Sequence, residues 1–230
     1  YALSLNNLAL NHSNLGNYNE AKELNEQVLL IYEDSYGKKH PDYATSKSNL
    51  AMNYSYLGDY NKANELNEQV LLIRKSLYGK KHPDYATSLN NLALNHSQLE
   101  DHKKAKELNE QVLLIYEEIY GKNHPSYALG KSNLAMNYSY LGDYNLSDRA
   151  FVEAYQIEYG LFKKNSFGLT NKQKENYKLS LSNSLENLQN YALIRNSSSS
   201  EILDTTFVNS MNLNGVLTDQ TNRLTKEIYK

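Results

Sequence analysis

Apolar positions in the first two thirds of the chain fall into blocks of helical period separated by short polar turns. Leu5, Leu8, Ala9, His12 and Leu15 stand at i, i+3, i+4, i+7 and i+10, and Tyr18, Ala21, Leu24, Val28 and Ile31 resume the pattern after a gap. That spacing draws one stripe along an α-helix, so the chain opens as two amphipathic helices. Gly16, Gly58 and Gly142 sit where a left-handed residue would end a first helix, and Asn17, Asp59, Asp101 and Asp143 follow as expected N-caps of second helices. Gly37, Gly79 and Gly121 end the second helices. His40, His82 and His124 each precede a proline, which holds them extended, and Asp42, Asp84 and Ser126 are expected to cap the next first helix.

These elements recur with one step. Pro41, Pro83 and Pro125 are 42 residues apart, as are Tyr1, Tyr43, Tyr85 and Tyr127. The block Glu23–Ile31 returns unchanged at Glu65–Ile73 and Glu107–Ile115. Residues Lys47–Asn61 are identical to Lys131–Asn145, and Leu5–Ser13 matches Leu89–Ser97, so a pair of units spanning 84 residues has been duplicated. A helix pair with short loops cannot bury its apolar face alone, and such units stack side by side. The expected architecture is an all-α, right-handed α-solenoid of four helix-turn-helix repeats over residues 1–164, with a helical cap or linker over 165–230. The chain begins partway into a repeat and without Met, and it is read as an excerpt of a longer one.

The small Ala9, the Gly16-Asn17-Tyr18 turn and Ala21, with their equivalents 42 and 84 positions on, resemble the tetratricopeptide repeat. The unit is longer than the usual ~34 residues, and with its Tyr36–Asp42 loop it is similar to the repeats of kinesin light chains. Two places depart from the pattern: Glu100 and His102 replace Gly and Tyr in the third unit, and Ser147 replaces the small Ala in the fourth. Beyond them, Thr170 and Gln173 form a capping box for a helix carrying Tyr177, Leu181, Leu185, Leu188 and Ile194, and Ile202 to Leu224 suggest two more helices. This tail resembles the segment joining such repeats to a caspase-like CHAT peptidase domain, through Gln173-Lys174, the aliphatic run Leu179 to Leu193, and Asn212 with Gly215-Val216-Leu217. The resemblance implies that the peptidase would lie after Lys230.

Composition narrows the chemistry. The chain has no Cys, which removes thiol catalysis, disulfides and cysteine zinc sites. A net charge of -2 without a clustered basic surface argues against nucleic acid as a partner, and no apolar run approaches the roughly 20 residues of a membrane helix. A cytoplasmic location is expected. The six His include no metal-binding pair or His-Glu-x-x-His arrangement. His40, His82 and His124 read as loop contacts, and His12 and His96 as core polars that alternate with Tyr54 and Tyr138. Tyr36, Tyr78 and Tyr120 read as core under the loop. No catalytic, cofactor or metal site is expected.

Binding is where the pattern points. By the helical period, Leu3, Asn6, Leu10 and Ser13 lie on one stripe of the first helix, beside the packing stripe, and the tetratricopeptide resemblance implies that this face lines a concave groove. Stacking gives the rows Asn6, Ser48, Asn90, Ser132; then Leu10, Met52, Leu94, Met136; then Asn14, Tyr56, Gln98, Tyr140. Amides and hydroxyls alternating with soft apolar groups suit a peptide or protein segment. Asn7 and Asn11, present in all four units, are expected to form a ladder between neighbouring first helices. The expected function is therefore a protein- or peptide-binding scaffold, by the tail resemblance the sensing arm of a CHAT-type protease acting on its own downstream peptidase. The alternative is a stand-alone adaptor similar to kinesin light chains. A clamp for acidic C-termini would need lysines along the groove, where only Lys47 and Lys131 are near.

Overall fold

The computed structural model describes residues 1–165 together with 170, 172 and 173. Among them are eight α-helices and no strand: α1 (Ala2–Asn14), α2 (Tyr18–Tyr36), α3 (Pro41–Tyr56), α4 (Tyr60–Tyr78), α5 (Pro83–Gln98), α6 (His102–Tyr120), α7 (Pro125–Tyr140) and α8 (Tyr144–Asn165). The chain divides into two compact units, one of Tyr1–Lys122 with Met136–Tyr144, the other of Asn123–Ala135 with the chain from Asn145 onward.

In the first unit each odd helix packs on the even helix that follows it, and α2 and α4 also pack on α3 and α5, so the hairpins stack in chain order as an α-solenoid. Alanines set the closeness of the packing. Ala9, Ala51 and Ala93 on the first helices, and Ala21, Ala63 and Ala105 on the second, are all at most 1% exposed. Val28, Val70 and Val112 are fully buried. Around Val112 gather Tyr85, Leu89, Leu92, Ala93 and Leu108, each large aliphatic side chain contributing about 1.5–3 kcal/mol by leaving water.

The same letter has a different environment in the first hairpin. Tyr1 is 87% exposed where Tyr43 and Tyr85 are 2% and 7%, and Leu8 is 44% exposed where Leu50 and Leu92 are 5% and 4%. Among the described residues, no helix packs on the face of α1 that corresponds to the one α2 covers on α3.

The helix ends follow the sequence in part. Gly16, Gly58 and Gly142 have φ of 80°, 82° and 82°, the left-handed region where a Cβ is penalised. In the third hairpin Glu100 takes that conformation at φ 61°. Asp59 and Asp101 cap α4 and α6, accepting the backbone N–H of Lys62 (3.0 Å) and Lys104 (3.2 Å). Asn17 does not cap α2 with its side chain; its Nδ2 lies 3.5 Å from His12 Nδ1 instead.

Asp42, Asp84 and Ser126 are not the caps of the first helices. Proline is the first residue of α3, α5 and α7, so the cap falls one residue earlier, on histidine. His40 Nδ1 accepts from Asp42 N (3.2 Å), His82 Nδ1 from Asp84 N (3.2 Å) and His124 Nδ1 from Ser126 N (3.1 Å). Their loop role is thus specific, and the extended backbone before proline (His40 φ -113°, ψ 145°) supplies the cap geometry. Tyr36 and Tyr78 are not core. They are 57% and 36% exposed, as Tyr120 is at 39%, and Tyr36 and Tyr78 stack on His40 and His82 with ring centroids 4.4 and 4.3 Å apart. His12 and His96 are half-buried rather than core.

In the second unit, Ala135 packs against Ala150 and Phe151. Ser147, standing where the other repeats have Ala, is fully buried and donates to the Ala135 carbonyl at 2.8 Å, so its hydroxyl is not left unpaired. Thr170 and Gln173 form the expected capping box: Gln173 Oε1 accepts from Thr170 N (2.9 Å), and Thr170 Oγ1 accepts from Gln173 N (3.3 Å). The helix expected beyond it, the later tail helices and the Asn212 to Leu217 pattern lie outside the described residues.

Candidate functional site

The stripe on the first helices is only partly open. Leu10, Tyr56, Leu94, Met136 and Tyr140 are 41–56% exposed, as a groove wall requires. Asn6, Met52, Asn90 and Ser132 are half-buried, Gln98 is exposed and Ser48 is buried. Helix spacing alone could not separate these, because it gives Ser48 the same register as the half-buried Asn6, Asn90 and Ser132.

The ladder between first helices exists, with partners the repeat pattern did not name. Asn49 Nδ2 donates to Asn6 Oδ1 (3.2 Å), Ser13 Oγ to Asn53 Oδ1 (3.4 Å) and Ser55 Oγ to Asn95 Oδ1 (2.8 Å). Each rung joins one repeat to the next, and the asparagines equivalent to Asn11 receive serine hydroxyls rather than one another. Asn6 is thereby committed to packing as well as to the stripe.

At the ends of the first helices, a side chain opening each second helix meets one closing the next first helix. Tyr18 stacks on Tyr56 at 4.6 Å and His102 on Tyr140 at 4.3 Å. Between the second and third repeats the position of Tyr56 is held by Gln98, and Tyr60 donates a hydrogen bond to Gln98 Oε1 at 3.4 Å. A half-open cavity of about 340 Å³ lies there, lined by residues of α3, α4 and α5. Four of the expected groove residues, Met52, Tyr56, Leu94 and Gln98, come together in its wall. The expected groove residues did not include the others that line it, Ser55, Tyr60, Asn67, Asn91 and Asn95; Tyr60 and Asn67 come from a second helix, which a first-helix stripe cannot reveal.

The lysines do not line a clamp. Lys47 is 8% exposed, donates to Gln69 Oε1 at 2.7 Å and lies 4.8 Å from the Tyr43 ring centre. Lys131 pairs with Glu153 at 2.8 Å; burial pulls its pKa down, but the Glu153 carboxylate and Tyr127 outweigh that and leave it raised. Arg74, whose place is taken by Tyr in neighbouring repeats, is buried and donates to the Asp84 carbonyl (3.1 Å) and Ser88 Oγ (2.9 Å), with its pKa lowered by desolvation. Among the described residues, no group of three or more His, Cys, Asp or Glu is placed to hold a metal ion, and no helix is long and apolar enough to cross a membrane.

The helical hairpins belong to a known class. The tetratricopeptide repeat family model matches residues 1–75 and 65–118, and the chain belongs to that family. Solved structures agree. A kinesin light chain-like protein of Podosopora anserina with nearly identical TPR-like repeats matches with 25% identity over 89% of this chain and 92% of its own, at a TM-score of 0.61. BtubC (BKLC) from P. vanneervenii matches with 23% identity over 70% of this chain, at 0.65, and the matched region spans 64% of that protein. The apo form of RapI shares the fold with 13% identity over 95% of this chain and 64% of its own, at 0.59. No curated protein matches the chain.

Proposed function

We propose that this chain is a protein- or peptide-binding scaffold and that the exposed stripe of its first helices is the docking surface. The observation that carries this is the convergence of Met52, Tyr56, Leu94 and Gln98 on one cavity, where apolar area and hydrogen-bonding groups face the same space. Leu10, Met136 and Tyr140 extend the surface within the first unit, with Asn6, Ser48 and Asn90 along its edge. The resemblance to kinesin light chain repeats over nearly the whole chain supports the reading of a stand-alone adaptor. The narrower reading, a regulatory arm that switches a downstream CHAT-type peptidase, is supported by the tail pattern alone. Addition of the partner to the full-length product, followed by an assay of proteolysis, decides between the two.

For the docking surface itself, Asn90→Asp combined with Tyr56→Ala is expected to release a partner retained by the wild type while helicity by circular dichroism stays intact. Unchanged retention would remove the first-helix face as the docking surface.

A further inference from the structure

Deeply buried amides are normally paired, and here they fail to be in a regular way. Asn25, Asn67 and Asn109 on the second helices each leave Oδ1 without a partner, and Asn53, Asn95 and Asn137 on the first helices each leave Nδ2 without one. All six are at most 4% exposed. Each acceptor stands 28 residues before a donor, the acceptor on the second helix of one repeat and the donor on the first helix of the next.

At the junction of the second and third repeats the pair belongs to the wall of the cavity. Asn67 and Asn95 both line it. Asn95 Oδ1 is held by Ser55 Oγ at 2.8 Å, so Nδ2 is the end left over. Both orphan atoms are buried on residues of the cavity wall, and the broad χ2 torsion of asparagine lets the Asn67 amide turn toward the cavity at little cost, whereas the Asn95 amide turns by stretching its bond from Ser55. None of the lining residues is charged.

That combination selects a chemistry. A carboxylate would satisfy the Asn95 donor but set a second acceptor against Asn67 Oδ1. An ammonium would do the reverse, and either would be desolvated without a counter-charge. An aliphatic group would leave both orphans unpaired. A neutral primary carboxamide offers an N–H to Asn67 and a C=O to Asn95 at once. A peptide backbone carries the same groups, yet it is flanked by side chains and cannot enter a recess whose polar atoms lie beneath the wall, whereas a side-chain terminus can.

We infer that this cavity takes the side-chain carboxamide of a glutamine or asparagine on the bound partner. The inference rests on the docking surface proposed above and specifies one position within it. The wall supplies the remaining contacts: Met52 and Leu94 for the methylenes, Tyr56 and Tyr60 for the sides.

The test uses ligand-detected NMR on the full chain with N-acetyl-glutamine methylamide and its glutamate and norleucine counterparts. The glutamine compound is expected to bind roughly tenfold or more tightly than the other two, since each leaves an orphan group unpaired. Leu94→Trp, at a position 47% exposed, closes the mouth and is expected to abolish that binding. Equal binding of norleucine would mean a merely apolar recess, and no binding of the glutamine compound would mean that water serves the orphans. Glutamine binding that survives Leu94→Trp would lie elsewhere. Each of these three overturns the assignment, and the wild-type ranking stands even if the variant does not fold. A partner retained through Asn90 and Tyr56 without amide binding would remove this cavity assignment alone. Amide binding without any retained partner would remove the docking proposal and leave a small-molecule site.

Discussion

The junction between the first and second repeats and the one between the second and third share a backbone plan and differ in one kind of contact. At the first, Tyr18 and Tyr56 close ring on ring at 4.6 Å. At the second, Tyr60 meets the carboxamide of Gln98, and a cavity of about 340 Å³ lies beside it. The alternation comes from duplication of an 84-residue pair, which carries Tyr at 56 and 140 and leaves position 98 to diverge. Near-identical repeats can thus differ in shape at one junction through a change of one side chain at the seam.

The largest way to break this comparison is to remove the packing beneath it. Leu92→Ala, in the cluster under the second junction, is expected to cost about 2–5 kcal/mol in urea unfolding, whereas Leu8→Ala, at the half-open equivalent on α1, is expected to cost less than about 1 kcal/mol. Equal losses would mean that exposure does not distinguish the repeats.

A smaller effect serves as a control in the second unit. Tyr155 is 3% exposed with no partner for its hydroxyl, and burial, then Tyr159 and Glu158, push its pKa up to about 12. The unfolded chain ionises this group near 10, so its contribution to stability is full below pH 10 and falls as pH rises through 12. Tyr155→Phe is expected to gain about 1 kcal/mol at pH 7 by removing an unpaired hydroxyl and to flatten that alkaline loss in thermal melts. Retention of the full alkaline loss by the variant would assign it to other groups. The smallest change sharpens the comparison most. Gln98→Tyr is expected to place a ring against Tyr60, gain about 0.5–1.5 kcal/mol in the same unfolding assay and abolish carboxamide binding. No gain would mean that the second junction differs from the first in more than this side chain.

Most of the fold was legible because the repeat shows each position several times. A 42-residue step in Pro, Gly and Tyr located every hairpin, and the small Ala9 and Ala21 with their copies marked where helices approach closely. The caps of the first helices were misplaced by two residues because aspartate is the stronger expectation, whereas proline in the first turn shifts the cap onto histidine. Tyr36 and Tyr78 looked like core because an aromatic at a helix end usually packs inward, and here His40 and His82 offer a ring on the surface. Burial also depends on neighbours in the stack, so Tyr1 and Tyr85, identical in letter and register, differ from 87% to 7% exposed. For the candidate site, the stripe named four residues of the cavity wall, but orphan amides from two helices cannot be read from either helix alone.

The histidine caps carry a consequence for proton placement. An Nδ1 that accepts a backbone N–H must be unprotonated, so His40, His82 and His124 are each committed to the tautomer with hydrogen on Nε2. A ring that gained a second proton would have no lone pair for the cap. Every turn entering a first helix after α1 is thus closed by a ring nitrogen, where a helix start more often relies on a hydroxyl or carboxylate oxygen.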